Sequence, residues 1–328
     1  MKQRIFGNTD RTISEVGLGC WQLGDDCWGD VSEEQAFAIL WRAIEQGVTF
    51  FDTADVYGAG RSEQLIGRFL QECRGEDIYV ATKLGRGPGT YPDNYTRESL
   101  TAAVESSLKN LGVDALDLTQ LHCIPIEVLR DGEVFGIMDG LVTTGKIKRW
   151  GVSVEDVEQA EACLAVPNMT SFQIIFNIFR QKPIHELFDR VRERGIGLIV
   201  RLPMASGVLT GKFTGEEIFA DNDHRKFNCD GQMFNVGETF AGIPFVTAVR
   251  LARELQSICP QELTMAQFAM RWILDHPVVS TVIPGATRIE HVDGNASASE
   301  LPRLAADVHE KLDDFYRLHV HEHIRGVY

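Results

Sequence analysis

Short runs of apolar and β-branched residues alternate along the chain with longer stretches in which apolar residues recur every three or four positions. The short runs predict strands, and the longer stretches predict amphipathic helices. The predicted strands are Glu15–Leu18, Thr49–Asp52, Ile78–Lys83, Leu116–Leu121, Lys148–Ser153, Phe172–Ile175, Gly197–Val200 and Ser280–Ile283. Helical periodicity covers Glu33–Glu45, Leu100–Leu111, Val128–Thr144, Val157–Leu164, Ile184–Arg194 and Phe245–Leu255. Ser62 and Thr96 stand where they would cap the starts of helices.

This alternation predicts an α/β fold, namely a single (β/α)8 TIM barrel that occupies residues 1–328. No change of composition and no proline-rich linker divides the chain, and one such barrel commonly takes about 250 residues or more. The structural alternative is a doubly wound sheet. That fold would place a GxGxxG turn after the first strand, and Gly17-Leu18-Gly19-Cys20 lacks the glycine that should follow.

Two stretches interrupt the repeat. The opening RIFGNTDRTISEVGLG predicts a β-hairpin around Gly7-Asn8 that closes the N-terminal end of the barrel. After the seventh strand comes a long connection of about residues 210–242, here called the lid segment, which carries several phenylalanines among Gly, Asn and Asp. Loops of this length in compact domains are usually functional or disordered. We interpret it as a lid that orders over a ligand, with a variable surface loop as the alternative.

The charge balance restricts the class of partner. With 32 Lys and Arg against 47 Asp and Glu, the formal net charge is −15, which weighs against nucleic-acid and acidic-membrane binding because both need a basic surface. The opening residues lack the apolar core of a secretory signal, and no run of about 18 apolar residues could span a bilayer. We therefore expect a cytoplasmic protein with a small-molecule partner, while the oligomeric state is left open.

The cysteines support the same compartment. The chain has seven, scattered and without CxxC spacing. This pattern predicts free thiols in a reducing cytoplasm rather than a disulfide framework or a zinc site. No metal site is therefore expected.

Polar side chains follow several predicted strands, at the end where the active site of a barrel lies. They are Asp52, Lys83, His122 and Ser153, and Tyr57 follows in the loop FDTADVYGAGRSE. Taken singly, each could be a helix cap, a packed ring or a satisfied core group. Together, an acid, an amine, an imidazole and a phenol suit a site that polarises and protonates a carbonyl.

A phenol donates a proton poorly at neutral pH unless its anion is stabilised. An ammonium about 4 Å away supplies about 4 kcal/mol at an effective dielectric constant near 20. Lys83 could do this for Tyr57, while Asp52 holds Lys83 charged and in place. The set contains no reductant, so a hydride would have to come from a bound cofactor.

These residues lie in segments that resemble the aldo-keto reductase family, from RIFG to about Ala298. The matching segments are GLGCWQLG, FDTADVYGAGRSEQLIG, VATKLG, DLTQLH, TGKIKRWGVS, LPMASGVLTGKF and IPGATRIEHVDGN. The resemblance implies that Tyr57 is the general acid, that Lys83 and Asp52 tune it, and that His122 orients the substrate. It also implies an extended nicotinamide dinucleotide across the barrel mouth, which accounts for the missing GxGxxG.

The resemblance assigns the nicotinamide end of the cofactor to three residues. Ser153 and Gln173 would hold the carboxamide, although Val154 stands where an asparagine is usual. Arg201 replaces an aromatic residue that often stacks on the nicotinamide ring. A guanidinium can also stack, but it would add positive charge beside a ring that becomes cationic when it loses a hydride. We therefore expect Arg201 to favour the reduced cofactor or to face an anionic substrate or phosphate. An Arg201 paired with a neighbouring acid is the alternative.

The phosphates and adenosine are assigned in the same way. The residues similar to the family's pyrophosphate strap are Ser206, Gly207, Leu209 and Lys212. Arg288, before a helix that starts near Ile289, suits a 2′-phosphate, which favours NADP(H) over NAD(H). His291 stands where Gln or Arg is common in the family, and Asn295 matches an adenine contact.

Trp21 and Trp28 are the residues expected to border the substrate, together with Tyr57 and His122, although either tryptophan could simply pack the first loop. The implied function is NADP(H)-dependent interconversion of carbonyls (aldehydes, ketones or sugars) and alcohols. The alternative is a nicotinamide-binding regulatory scaffold that resembles the β subunits of potassium channels.

Overall fold

The structure is a computed structural model that describes residues 1–24, 27–29 and 31–328. Its strands are β1 Gln3–Ile5, β2 Thr12–Ser14, β3 Leu18–Gly19, β4 Phe50–Asp52, β5 Tyr79–Leu84, β6 Leu118–His122, β7 Trp150–Ser153, β8 Ser171–Ile175, β9 Gly197–Arg201 and β10 Val279–Val282. Its α-helices are α1 Trp21–Gly24, α2 Glu33–Glu45, α3 Arg61–Glu72, α4 Arg97–Leu111, α5 Ile126–Asp131, α6 Glu133–Thr143, α7 Val157–Cys163, α8 Lys182–Glu186, α9 Phe188–Arg194, α10 His224–Phe227, α11 Phe245–Leu255, α12 Met265–Leu274, α13 Ile289–Ser297 and α14 Ala306–Phe315. Single helical turns lie at Ala205–Thr210, Val236–Glu238, Phe240–Gly242, Tyr316–Val320 and His321–His323.

Strands β3 to β10 form the predicted parallel barrel. Each pairs with the next in chain order, and the bridges Val16–Val282 and Gly19–Gly285 join the first strand to the last. Parallel neighbours need a crossover connection, which the intervening helices supply. The prediction of an α/β barrel is thus confirmed, and the carboxyl ends of its strands meet at one mouth.

Two predicted helices are each divided in the structure. Gly132 adopts a left-handed conformation with φ of 80°, which ends α5 and begins α6 within the stretch predicted as Val128–Thr144. Likewise, Leu187 separates α8 from α9 within the predicted Ile184–Arg194. Apolar periodicity in the sequence continues across both breaks, so it does not reveal them.

One of the two predicted helix caps is wrong. Thr96 caps α4 through a reciprocal capping box with Ser99, as the sequence indicates. Ser62, however, lies inside α3, which begins after Gly60. Its hydroxyl instead donates to the carbonyl of Cys20 at 2.8 Å and accepts from the Thr53 hydroxyl at 2.8 Å. Ser62 therefore joins the loops that follow β3 and β4, both of which border the barrel mouth.

The N-terminal hairpin closes the opposite end of the barrel, as predicted. Strands β1 and β2 pair antiparallel, and the side chains of Phe6 and Ile13 are fully buried. They belong to an apolar cluster at that end, whose other members are Phe50, Tyr79, Ala81, Leu118, Ile199 and Ile283. This apolar plug therefore fills the interior of the barrel at the end opposite the mouth.

The lid segment is folded against the barrel. Phe213, Phe219, Phe240 and Phe245 form an aromatic cluster with ring centroids 4.8 to 5.9 Å apart. Arg325 ties the segment down from outside, since its guanidinium donates to the carbonyls of Gly242 at 2.9 Å and Cys229 at 2.8 Å. Most of these rings thus pack on one another, and the ordering of the segment over a ligand stays a prediction.

Two findings concern the cysteines and the membrane. The cysteines all lie in the described part of the chain, and none of them is joined to another by a disulfide. Across the same residues, we find no helix with the length and apolar character needed to cross a bilayer.

Candidate active site

The predicted catalytic residues lie together at the barrel mouth. Asp52 and His122 end strands β4 and β6, Lys83 lies near the end of β5, and Tyr57 follows in the loop before α3. The Lys83 Nζ atom lies 2.5 Å from Asp52 Oδ1 and 3.1 Å from the Tyr57 hydroxyl. It also donates to the carbonyl oxygen of Thr53 at 2.7 Å. A continuous hydrogen-bonded path therefore runs from the carboxylate to the phenol.

Lys83 is charged in this environment. Burial alone would lower its pKa, but Asp52 and Tyr57 outweigh that effect and raise the pKa to about 12. The Asp52 carboxylate also accepts from the amides of Gln173 at 2.7 Å and Gln120 at 3.3 Å. Burial raises the pKa of Asp52, and Lys83 and the two amides oppose that rise by satisfying a carboxylate that would otherwise be costly to bury.

The phenol of Tyr57 is neutral at pH 7. Burial raises the pKa of its hydroxyl above the usual range, and the charge of Lys83 opposes this rise without cancelling it. The expected stabilisation of the phenolate by Lys83 is thus present, but burial has the larger effect. The result is a protonated hydroxyl whose anion, once formed, meets an ammonium group at 3.1 Å.

His122 is a neutral imidazole. Burial lowers its pKa well below the usual range, and the charges of Lys83, Arg86 and Arg201 act in the same direction. Within the described residues its Nδ1 atom is buried and has no hydrogen-bond partner, which leaves Nε2 as the nitrogen available to a ligand. The ring stands edge-on to Tyr57 with centroids 5.9 Å apart. A neutral N–H at this place can orient a carbonyl oxygen without changing charge.

Aromatic side chains form the wall beside Tyr57. The Trp21 ring stacks on Tyr57 with centroids 5.7 Å apart and a 19° interplanar angle, and Trp28 meets Trp21 edge-on at 5.7 Å. Phe234 of the lid segment approaches Trp21 at 6.3 Å. All of these rings line one cavity of about 720 Å³, so both tryptophans predicted to border the substrate lie on the wall of the cavity that contains Tyr57.

Most residues predicted to bind the cofactor lie along this cavity. Its lining includes Gln173, Arg201, Ser206, Gly207, Lys212, His291 and Asn295. They extend from the strand ends beside Tyr57 to the start of α13, as an extended ligand would require. Ser206 also has an internal role, because its hydroxyl donates to the Glu238 carbonyl at 3.2 Å and accepts from the Phe240 amide at 3.2 Å.

Three predicted cofactor residues are not among the described residues that line the cavity. The Ser153 hydroxyl lies behind the wall, 3.6 Å from the Cys123 thiol. The Leu209 side chain is fully buried in the core, so only its backbone could meet a ligand. Arg288 lies at the rim, with 57% of its side chain exposed and its guanidinium 3.9 Å from the Glu290 carboxylate.

The structure pairs Arg201 with an acid. Its guanidinium lies 3.0 Å from the Glu238 carboxylate and donates to the Val154 carbonyl at 3.1 Å. Arg86 completes the group, 3.3 Å from Glu155 and 3.8 Å from Glu238. Of the alternatives open from sequence, the one in which a neighbouring acid pairs with Arg201 is therefore confirmed.

Sequence reasoning missed Arg86, Glu155 and Glu238. Arg86 follows Lys83 by three residues, and Glu155 follows Ser153 by two, so their position just beyond strand ends was a usable signal. Glu238 comes from the lid segment. No local pattern in the sequence could place it against a strand end so far away.

The thiol of Cys123 and the carboxylates of Glu155 and Glu238 lie within 4.8 Å of one another, a spacing that a metal ion could use. Two guanidinium groups already balance those carboxylates, since Arg201 pairs with Glu238 and Arg86 with both acids. The geometry is that of an ion-pair cluster.

The far end of the cavity suits a phosphate. Burial lowers the pKa of His291, and the nearby charges of Arg288 and Lys212 lower it further, so His291 is a neutral hydrogen-bonding group and the positive charge at this end comes from Arg288 and Lys212. Between this end and Tyr57, Gly207 lines the cavity at a φ of 97°. A Cβ at this position would lie 3.2 Å from the Phe213 ring, so a glycine suits both the packing against Phe213 and the left-handed conformation. The donors present thus fit an extended, phosphate-bearing dinucleotide.

Comparison with known proteins identifies the family of the chain. The model of the Aldo/keto reductase family matches residues 15–317. The Uncharacterized oxidoreductase YqkF of Bacillus subtilis is 30% identical over 331 residues, which cover 97% of this chain and 99% of that protein. The holo form of aldo-keto reductase AKR11C1 from Bacillus halodurans is 28% identical, with a TM-score of 0.76 over 100% of this chain and 98% of the other.

The family match and these relatives identify the chain as an oxidoreductase of CH–OH and C=O groups that uses NAD(P). The chain belongs to the aldo/keto reductase family.

Further relatives differ in the cofactor or role that their names state. A 28% identical Schizosaccharomyces pombe protein, matched over 94% of this chain and 89% of its own length, is named for NADP(+). A 26% identical Escherichia coli protein, over 94% and 96%, is an NADH-specific methylglyoxal reductase. A 31% identical Arabidopsis thaliana protein, over 95% and 96%, is a probable voltage-gated potassium channel subunit beta.

Proposed function

We propose that this chain is an NADP(H)-dependent oxidoreductase that interconverts aldehydes, ketones or sugars and the corresponding alcohols, with Tyr57 as the general acid. One observation carries the proposal. The hydrogen-bonded path from Asp52 through Lys83 ends on the Tyr57 hydroxyl, beside the neutral His122, in one cavity.

In this proposal Gln173, Ser206, Lys212 and Asn295 of the cavity lining would hold a nicotinamide dinucleotide, which when bound would supply the hydride to the carbonyl carbon or accept it from the alcohol carbon. His122 donates a hydrogen bond through Nε2 to the substrate oxygen and so orients the carbonyl. Tyr57 gives its proton to the same oxygen as negative charge develops there. Lys83 then stabilises the phenolate, and in the oxidative direction that phenolate takes the proton of the alcohol.

Trp21 and Trp28 serve as the substrate-side wall. Their rings, with Phe234, present apolar surface next to the Tyr57 hydroxyl. Exclusion of water at this place strengthens the interactions of Lys83 and His122 with the reacting oxygen.

Replacement of Tyr57 by phenylalanine tests the general acid. Reduction of 4-nitrobenzaldehyde by NADPH should fall by about 10²-fold or more, the usual contribution of a positioned general acid, while the calorimetric Kd for NADPH changes only a few-fold. Tyr79→Phe is the matched control, because its hydroxyl donates to the Asp117 carbonyl away from the cavity. Equal activity of Tyr57→Phe and wild type would refute the assignment.

NADP(H) is favoured over NAD(H) because Lys212 and His291 line the far end of the cavity and Arg288 lies at its rim. Arg288→Ala should weaken NADPH binding about tenfold or more while NADH binding hardly changes, since only NADPH carries the 2′-phosphate. Arg317→Ala is the matched control, because this arginine is equally exposed and pairs with helix-surface acids. A parallel loss of affinity for both cofactors in Arg288→Ala would contradict the preference.

The second candidate function is a nicotinamide-binding regulatory scaffold, which the similarity to the Arabidopsis channel subunit favours. The complete set of Asp52, Tyr57, Lys83 and His122 is compatible with both functions, so turnover decides. We expect measurable turnover on a panel of carbonyls and sugars with both cofactors. Tight cofactor binding without turnover on any of them would favour the scaffold.

We also infer that the protein acts in the cytoplasm, because its thiols are not joined in disulfides. Fractionation of the source cells tests this location, and recovery with the secreted proteins would contradict it.

A further inference from the structure

The charged cluster beside the catalytic residues is balanced. It contains the guanidinium groups of Arg201 and Arg86 and the carboxylates of Glu238 and Glu155. Burial would raise the pKa of Glu238, but Arg201 and Arg86 outweigh that effect and lower it. Glu238 is therefore an anion, and it is the one acid of the cluster that contacts both arginines.

The cluster lies directly beside the place where the reaction would occur. Arg201 donates to the carbonyl of Val154 and lies 3.5 Å from the thiol of Cys123, the residue after His122. Its guanidinium thus spans the ends of two neighbouring strands, β6 and β7. Arg201 and Glu238 also line the cavity that holds Tyr57.

Glu238 lies beside Arg201 because it belongs to the lid segment, which folds over the barrel mouth. Its own carbonyl accepts from the Ser206 hydroxyl, and the turn Val236–Glu238 packs against the fully buried Arg180, whose guanidinium allows no Cβ at Gly237. The carboxylate is thereby held 3.0 Å from Arg201. Without the lid segment, the positive charge of Arg201 beside the catalytic residues would have no counterpart on that side.

We propose that Glu238 is the counter-charge that sets the relative affinity of the site for oxidised and reduced nicotinamide, by neutralising Arg201 beside the bound ring. The inference rests on the proposed cofactor function. An oxidised nicotinamide ring carries a positive charge that the reduced ring lacks, so an uncompensated guanidinium nearby disfavours the oxidised form alone. With Glu238 in place, Arg201 contributes little net charge, which removes the bias towards the reduced cofactor that the arginine by itself would create.

Glu238→Gln in the full-length chain tests this role, with the Kd for NADP+ and for NADPH both measured by titration calorimetry. At an effective dielectric constant of about 20, a unit charge about 8 Å away changes an equilibrium by about thirtyfold. The remaining cluster screens part of this, so we expect the ratio of Kd(NADP+) to Kd(NADPH) to rise about tenfold.

Three variants separate charge from structure. Glu238→Asp keeps the charge and should keep the ratio even if both affinities fall. Glu155→Gln removes an acid that lies at ion-pair distance from Arg86 and is not among the described residues of the cavity lining, so its ratio should change less than about threefold. Arg201→Gln combined with Glu238→Gln removes both charges and should restore the wild-type ratio. Circular dichroism and thermal unfolding establish that each variant is folded.

The outcomes distinguish this inference from the proposed function. If Glu238→Gln weakens both cofactors equally, or if Glu155→Gln shifts the ratio as much, Glu238 is a structural contact and the inference is overturned. If the ratio of Kd(NADP+) to Kd(NADPH) is unchanged in Glu238→Gln, the inference is likewise overturned. If the wild-type protein binds neither cofactor, the proposed function itself fails.

Discussion

The ammonium of Lys83 should contribute more to the rate than any other single charge in the site, and Lys83→Met measures that contribution. Its Nζ lies 3.1 Å from the Tyr57 hydroxyl. At this separation and an effective dielectric constant of about 20, it stabilises a full phenolate by about 5 kcal/mol. If about half of that charge has developed in the transition state, kcat should fall about 10²-fold.

The assay has to separate catalysis from stability. Lys83→Met leaves the buried Asp52 carboxylate without its cation, and such a change typically destabilises a protein by about 3–5 kcal/mol. The melting temperature of each variant is therefore measured together with kcat, and kcat is measured with saturating NADPH and 4-nitrobenzaldehyde. The double variant Lys83→Met with Asp52→Asn removes both charges, so it should recover stability but not kcat.

The pH dependence of kcat tests the role of Lys83 independently, through the direction in which its alkaline limb moves. The charge of Lys83 lowers the pKa of Tyr57, so without it the phenol stays protonated to higher pH. Reduction requires the protonated phenol, and the alkaline limb of kcat should therefore move to higher pH in Lys83→Met. A folded variant with wild-type kcat, or with an alkaline limb moved to lower pH, would refute the role given to Lys83.

Three further predictions concern the scaffold. Gly58→Ala should lower both the melting temperature and kcat, because Gly58 lies in the loop that carries Tyr57 and a Cβ there would lie 1.8 Å from the Gly24 carbonyl oxygen. Gly136→Ala is the control, since a Cβ at Gly136 would have nothing within 4 Å. Equal effects of the two substitutions would contradict the reasoning. Phe6→Ala should lower the free energy of unfolding by about 3–5 kcal/mol in urea titrations while kcat of the folded protein is unchanged; a lost kcat would show that the plug also shapes the site. Burial lowers the pKa of His224 to about 4, so its neutral form stabilises the fold fully above about pH 6.5, and this stability should fall by up to about 1.4 kcal/mol per unit as the pH drops from there towards 4. The free energy of unfolding of His224→Phe should depend less on pH between about 4 and 6.5 than that of the wild type. An identical pH dependence would show that His224 does not cause the loss of stability at low pH.

The part of the fold that the sequence predicts is the part governed by local periodicity. Alternation of strands and helices places Asp52, Lys83 and His122 at strand ends, and in a barrel all such ends meet at one mouth. Tyr57 lies only five residues beyond Asp52, so its place follows from the same rule. Their mutual distances follow from the strand register, in which Lys83 and Asp52 lie on adjacent strands.

The contacts that sequence reasoning misses are those between segments far apart in the chain. Glu238 meets Arg201 only because the lid segment folds back over the mouth, and nothing near either residue encodes that path. The assignment of Ser62 as a cap failed for a related reason, since its hydroxyl binds Cys20 and Thr53 rather than its own helix. Local sequence propensity does not distinguish a serine that caps a helix from a serine that joins two loops. Tertiary contacts determine which role it has.

The stack of Trp21 on Tyr57 gives the protein an internal optical reporter. Of its five tryptophans, Trp21 and Trp28 line the cavity, Trp150 and Trp272 are buried in the core, and Trp41 lies at the surface. Indole emission overlaps the absorption of a dihydronicotinamide, so occupation of the cavity should quench the two cavity tryptophans by energy transfer far more than the other three. The sensitised emission of the dihydronicotinamide would then report the redox state of the bound ring in real time, with no label added.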